Sequence, residues 1–253
     1  MKPISNNSEL VLLIIVPCLL CSSPRAFAQS SIIDQVQRAQ PSIVGVTAEN
    51  TDVFQSPPAI AGIDPKTGRV VVVRKVQQPT YQRAGAGVVL DSSGIIVTNA
   101  HTVQRSNSIT VTLSDHTQLP ASVVKVVMNL DLAFLKVNPP SPLKPIWLAD
   151  SDQIKLGEEI ITVGNSELLK QTVSGGKIIG IGTNRHPDGR DKTDLIQTTI
   201  NLYSGDSGGP LFDHQGRLLG LMTAKETSAD HSSFAIPVNK IKKYLDEIKR
   251  THP

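Results

Sequence analysis

The sequence holds 253 residues, 39% of them hydrophobic and 4% aromatic, which is enough chain to bury one substantial core. Its 25 Lys and Arg against 22 Asp and Glu leave a formal charge of +3; with no basic run and few rings for stacking, nucleic acid is excluded as the main partner. Both cysteines, Cys18 and Cys21, lie near the N-terminus, so the rest of the chain has no disulfide framework.

In chain order, Lys2 precedes an apolar run from Leu10 to Leu20, and Ala26-Phe27-Ala28 offers a small-x-small cleavage site before Gln29. The run is shorter than the roughly 20 residues a spanning helix needs, so 1–28 reads as a secretory signal and the product as periplasmic or secreted. Ile32, Ile33, Val36 and Ala39 then have helical spacing before Pro41. Short β-branched runs between Gly, Pro, Asn and Asp turns predict strands over 43–48, 70–76, 86–90, 95–98, 109–113, 122–127 and 132–137. These belong to a first barrel within about 41–138. Asn138-Pro139-Pro140-Ser141-Pro142 cannot continue a strand and begins a linker over 139–145. A second barrel, about 146–236, takes strands at 159–163, 177–183, 195–199, 210–212, 218–223 and 233–236, and Trp147 is expected to pack at its entrance. Val238, Ile241, Tyr244, Leu245 and Ile248 form the apolar stripe of a C-terminal helix over 237–250, expected to dock on its own barrel. Residues 52–81, rich in Pro and Gly, read as a surface β-hairpin, and 168–176 as a loop and strand able to pair with extended peptide.

Gly205-Asp206-Ser207-Gly208-Gly209-Pro210 is the chemically most specific stretch. Its glycines permit a tight turn that presents a serine with outward-facing backbone N–H groups, the arrangement that stabilises an oxyanion. Upstream, Thr98-Asn99-Ala100-His101 places a histidine where an apolar strand gives way to a turn, and Asp131 heads the apolar run Leu132 to Val137. A serine nucleophile needs a base, and the base needs an acid to fix its tautomer. Gly205-Asp206-Ser207-Gly208-Gly209 also fits the elbow of α/β-hydrolases, where the serine precedes its acid and histidine. Here the order is His101, Asp131, Ser207, and the histidines that follow the serine, His214, His231 and His252, all stand in polar surroundings. The order is that of chymotrypsin.

Through these segments the chain resembles the Deg/HtrA branch of trypsin-like serine peptidases, from about Pro41 to Lys243. The resemblance is carried by Gly85-Ala86-Gly87-Val88-Val89-Leu90-Asp91, Thr98-Asn99-Ala100-His101, Asp131-Leu132-Ala133-Phe134-Leu135-Lys136-Val137, Ile196-Gln197-Thr198, the serine motif and Phe234-Ala235-Ile236-Pro237. It implies an all-β fold of two six-stranded antiparallel β-barrels of the chymotrypsin type with a C-terminal helix. It also implies His101 as general base and acid, Asp131 as its orienter and Ser207 as nucleophile, with Gly205, Asp206 and Ser207 around the oxyanion hole. Asn201, Leu202, Tyr203, Thr223, Ala224 and Lys225 are the expected substrate-binding residues. The sequence ends at Pro253, leading to the expectation of a protease domain without the PDZ domain many relatives carry.

Two departures matter. The branch usually has Asn where this chain has Asp206, as digestive trypsin-like enzymes do, and there the acid pairs with an N-terminus freed by cleavage. Ser42-Ile43-Val44-Gly45-Val46 is faintly similar to such a start, yet no Lys or Arg precedes Ile43, so it reads as the first barrel strand. Asp206 then needs other partners, because an unpaired buried carboxylate is expensive. The other departure is Leu202-Tyr203-Ser204 before Gly205. Asn201 falls where trypsin carries its specificity acid, so cleavage after basic residues is not expected and small or medium apolar residues are.

No metal or cofactor is expected: the histidines lack a His-x-x-x-His pair and Gly85-x-Gly87 lacks the third glycine of a nucleotide loop. The expected partner is polypeptide, unfolded in particular, and the resemblance adds a possible homotrimer. The alternative in another class is a peptide-binding or chaperone-like protein that uses the same cleft with little hydrolysis.

Overall fold

Alternating β-branched runs that bury one face need a second surface to cover them, and closing a sheet on itself supplies it without leaving edges. This chain does so twice. The computed structural model describes residues 32–51, 54–55, 59–73, 76–77, 80–164, 172–182, 194–203, 205–225 and 232–251. The expected signal segment 1–28 lies outside the described residues, among which no helix is long and apolar enough to cross a membrane.

The chain enters through helix α1 (Ile32–Ala39) and a 3₁₀ turn that holds Pro41, then runs as β1 (Ile43–Thr51). Next come β2 (Phe54–Gln55), β3 (Ala59–Ile63), β4 (Val70–Val73), β5 (Val76–Gln77) and β6 (Thr80–Val89). After β7 (Ile95–Asn99), the short helix α2 (Ala100–Val103) leads to β8 (Ser108–Thr112), β9 (Gln118–Val127) and β10 (Leu132–Val137). The second half holds β11 (Glu159–Gly164), β12 (Thr172–Ile181), β13 (Ile196–Thr198), β14 (Pro210–Phe212), β15 (Leu218–Lys225), β16 (Ser233–Pro237) and helix α3 (Val238–Thr251).

Strands β1-β6-β7-β10-β9-β8 close one antiparallel barrel and β11-β12-β13-β16-β15-β14 the other. Counted within each barrel, the two orders are the same, so one topology is used twice. The fold is the two-barrel, chymotrypsin-type arrangement with a C-terminal helix. One expectation needs correction: residues 70–76 do not join the first barrel. Val70–Val73 pairs instead with Ala59–Ile63, and Val76–Gln77 with Phe54–Gln55, as two small ladders outside it. β1 and β6 already pair from Ile43 with Val88 to Thr51 with Thr80, which leaves no edge for another strand between them.

Ile43 is 2% exposed and hydrogen-bonded in β1, so it starts a barrel strand rather than a free terminus. The largest apolar cluster crosses the barrel boundary, joining Val88, Val97 and Phe134 of the first to Val163, Phe212 and Ile236 of the second. Val238, Ile241, Leu245 and Ile248 of α3 complete this cluster with the spacing of one helix face. The helix is also tied to both barrels by polar contacts: Lys125 Nζ donates to Glu247 at 2.6 Å and Lys249 pairs with Asp91 at 2.8 Å, while Lys242 Nζ donates to the Ala149 carbonyl at 2.5 Å. Trp147 is 73% exposed, against the expectation that it packs at the second barrel's entrance.

Candidate active site

β7 and β10 pair with Asn99 opposite Leu132, which brings the residues just beyond that register, His101 and Asp131, into contact. A mutual clamp fixes them. The Asp131 carbonyl accepts from the Ala100 N–H at 3.0 Å and from Asn99 Nδ2 at 3.2 Å, while Asp131 Oδ1 accepts from the His101 N–H at 2.9 Å. To meet these bonds Asp131 adopts φ 54°, ψ 38°, a left-handed conformation that Asp and Asn tolerate better than other side chains with a Cβ.

Asp131 Oδ2 then accepts from two donors, His101 Nδ1 at 2.7 Å and Thr223 Oγ1 at 2.6 Å. The residue is 3% exposed. Burial works against its charge, but the His101 imidazole, the Thr223 hydroxyl and the His101 N–H together hold the carboxyl below its usual range. An ionised Asp131 is acceptor only, so Nδ1 carries the proton and the His101 Nε2 lone pair is left to take another.

Thr223 lies on β15 of the second barrel, beside Met222, whose carbonyl accepts from the Gly208 N–H at 2.8 Å and whose N–H donates to the Gly209 carbonyl at 2.9 Å. The serine turn is therefore seated against the strand that holds the acid. It is also seated against the first barrel: the Ser207 carbonyl accepts from the Ala86 N–H at 2.8 Å, and the Ala86 carbonyl accepts from Thr98 Oγ1 at 2.7 Å. Gly208 has φ +83°, and a Cβ there would overlap the Ala86 carbonyl oxygen. That close approach of the two barrels is what the glycine permits.

Within the turn, the Asp206 N–H donates to the Tyr203 carbonyl at 3.1 Å and the Gly209 N–H to the Asp206 carbonyl at 2.9 Å. Among the described residues, the N–H groups of Gly205 and Ser207 donate to no protein acceptor. These two, expected around the oxyanion hole, are uncommitted there. The Asp206 amide, expected around the same hole, is already used. Its side chain is 2% exposed, with Oδ2 accepting from the Tyr203 N–H at 2.8 Å and Oδ1 buried without a partner among the described residues. Burial pushes this carboxyl up, and the Tyr203 N–H offsets only part of that. Gly164 makes the space: a Cβ there would overlap Asp206 Oδ1.

Of the expected substrate-binding residues, Asn201 and Tyr203 are exposed beside the turn, Tyr203 at 60%. Leu202 is instead 4% exposed in the second barrel's core, because alternation along 201–203 turns it inward. Thr223 is 4% exposed and faces Asp131, so it supports the acid rather than lining a pocket. Ala224 and Lys225 continue β15, paired with Phe234 and Ser233. Of 168–176, residues 168–171 lie outside the described set, and 172–176 pair along β11. Sequence reasoning missed Asn99, Gly164 and Thr223 in these positioning roles. Asn99 sits in the quoted histidine motif and was legible there; the other two act across long sequence separations. Among the described residues no group of three or more His, Cys, Asp or Glu is placed to hold a metal ion.

The family model described as the trypsin-like peptidase domain matches residues 85–221, a span that contains His101, Asp131 and Ser207. The chain is 36% identical over 176 residues to the magnetosome formation protease MamE of Paramagnetospirillum magneticum, covering 67% of this chain and 24% of that protein. It is 35% identical over 175 residues to chloroplastic Protease Do-like 1 of Arabidopsis thaliana, covering 67% and 40%. It is 31% identical over 237 residues to a Buchnera aphidicola protein named "Probable periplasmic serine endoprotease DegP-like", covering 88% and 49%. The chain thus spans between about a quarter and a half of these relatives. With the family model covering more than half of the sequence and two closed six-stranded barrels, the chain belongs to the trypsin-like peptidase family and is similar to its Deg/HtrA members.

Proposed function

We propose that this chain is an exported serine endopeptidase that cleaves unfolded or damaged polypeptides through an acyl-enzyme on Ser207. The observation that carries the reading is the buried Asp131 carboxylate, bonded at once to His101 of the first barrel and Thr223 of the second, beside the strand that seats Ser207. In this reading Ser207 Oγ attacks the scissile carbonyl carbon while its proton passes to His101 Nε2. The carbonyl oxygen, now negative, accepts from the Gly205 and Ser207 N–H groups. Collapse breaks the C–N bond, and His101 gives its proton to the departing amine. Water, deprotonated by the same imidazole, then hydrolyses the Ser207 ester. Asp131 remains ionised throughout and stabilises the imidazolium.

Asn201 brings no charge to the position from which trypsin selects basic residues, which favours small or medium apolar side chains before the cleaved bond. Export is supported by the apolar run and cleavage site within residues 1–28, and by the word periplasmic in one relative's name. The test is incubation of the full chain and its Ser207→Ala variant with a reduced, unfolded protein, together with labelling by a fluorophosphonate. Cleavage and labelling by the wild type but not by Ser207→Ala are expected. Binding of the unfolded protein by both, with cleavage by neither, would favour the chaperone-like alternative and overturn this one.

A further inference from the structure

A cavity of about 110 Å³ lies away from the serine turn, between α1, the inter-barrel linker and the β14–β15 hairpin. It shares no residue with the site described above. Its apolar walls are Ala39, Pro145, Ile146 and one side of Trp147, and Gln35 and Gly216 lie along its floor. Gln35 Nε2 donates to the His214 carbonyl at 2.7 Å, so α1 is pinned to the hairpin and the cavity is bounded by fixed backbone.

Three features of the lining remain unexplained by packing. Ser42 is 1% exposed and, among the described residues, its Oγ has no hydrogen-bond partner, although burying an unpaired hydroxyl is costly; the oxygen is closed off as it stands and meets the cavity only by a change of rotamer. Arg38 and Lys144, both on the lining, make no ion pair among the described residues. Trp147 presents a large apolar ring with 73% of its surface open to solvent. A hydroxyl donor, two uncommitted cations and an apolar wall form a complementary set: a negative oxygen pair for the polar groups and a ring or branched alkyl for the wall.

We propose that this cavity binds a small apolar carboxylate, its carboxylate oxygens taken by Arg38 and Lys144, with the Ser42 hydroxyl turning about χ1 to donate to one of them, and its hydrocarbon lying against Trp147 and Ile146. The volume suits one ring or branched side chain. A free organic acid and the apolar last residue of a peptide share this chemistry. The proposal is independent of the catalytic reading, since none of its residues touches His101, Asp131 or Ser207.

The chain contains a single tryptophan, so selective excitation of Trp147 reports directly on this cavity. The full chain is titrated with cyclohexylacetate and, at matched ionic strength, with cyclohexylacetamide, which keeps the ring and loses the charge. A saturable change in Trp147 emission is expected with the acid, and binding at least about tenfold weaker is expected with the amide or in an Arg38→Gln, Lys144→Gln double variant. Both substitutions are at lining cations outside the core, and a circular dichroism melt checks that the double variant folds. Leu-terminated tripeptides with a free or an amidated C-terminus separate the two sources: saturation by the free-acid peptide extends the ligand to chain ends, while its failure beside successful cyclohexylacetate restricts it to free acids, and both uphold the site. A non-saturating response to cyclohexylacetate, equal binding of acid and amide, or unchanged binding by a folded double variant would overturn it.

Discussion

Asp131→Asn removes one charge from the candidate site while keeping shape and backbone, since Asn also tolerates the left-handed φ of 54°. The amide has one oxygen where the carboxylate had two, and the surrounding donors dictate where it goes. If the oxygen takes the Oδ2 position, facing His101 Nδ1 and Thr223 Oγ1, the NH₂ is driven against the His101 N–H, which itself needs an acceptor. If the oxygen takes the Oδ1 position, the NH₂ donates to His101 Nδ1, and Thr223 can turn its hydroxyl to accept. The second orientation avoids two buried donors facing each other, a penalty of about 1–3 kcal/mol or roughly 5- to 150-fold in population. It also places the His101 proton on Nε2, where the ring can no longer accept one from Ser207. Adding the lost charge partner of the imidazolium, kcat is expected to fall by about 10³–10⁴, similar to the same substitution in the chymotrypsin template. The assay is initial-rate cleavage of a quenched fluorescent casein near neutral pH, with thermal unfolding in parallel to confirm the fold. Retention of more than about a tenth of wild-type kcat by a folded variant would refute the tautomer argument.

Thr223→Val keeps the side-chain volume and deletes the 2.6 Å bond to Asp131, worth about 1.5–3 kcal/mol for a charged acceptor, so kcat is expected to drop at least about tenfold; an unchanged kcat and melting temperature would leave Thr223 without the assigned role. Asp206→Asn relieves a buried carboxylate whose folded-state pKa is raised, so the wild type loses stability as pH rises from the ordinary carboxylate range through that raised value. The variant is therefore expected to be the more stable of the two at pH 7, with the advantage gone as pH falls into the ordinary carboxylate range near about pH 4, as read from denaturant melts across pH. Gly208→Ala combines a positive φ with overlap on the Ala86 carbonyl and is expected to cost more than about 2 kcal/mol, lowering the melting temperature by several degrees. A normal melt would show that the barrels can separate there.

Legibility in the sequence tracked how local each determinant is. The continuous apolar runs of Ile95–Asn99 and Leu132–Val137 marked two central strands almost to the residue, because a strand buried on both faces needs no alternation to be seen. Val70–Val73 has the same composition yet forms a ladder outside the barrel, since pairing partners are set by register rather than propensity. β12 begins at Thr172 rather than at 177, so the strand part of the stretch read as loop and strand over 168–176 runs on into it. Gly176 is packed where a Cβ would lie 2.8 Å from Thr199 Oγ1, which is why a glycine occupies a strand there. The histidine, acid and serine stood out through short neighbourhoods. Thr223 did not, because its part depends on a contact across 92 residues. Leu202 misled for the converse reason: adjacency to the serine motif suggested contact with substrate, while its side chain points into the core.

Helix α3 runs along the back of both barrels, salt-bridged to Asp91 and Lys125 on one and bonded at Ala149 and Ser151 on the other. The Lys249 ammonium draws the Asp91 carboxyl down to about 2, so this fastening persists until strongly acid conditions protonate it. Proton transfer between Ser207 and His101 would tolerate very little relative displacement of the bodies that carry them. Helix α3 thereby acts as a splint: loosening its last turns, which bury Leu245 and Ile248, should lower turnover and melting temperature together, making a helix remote from the serine turn a handle on chemistry it never touches.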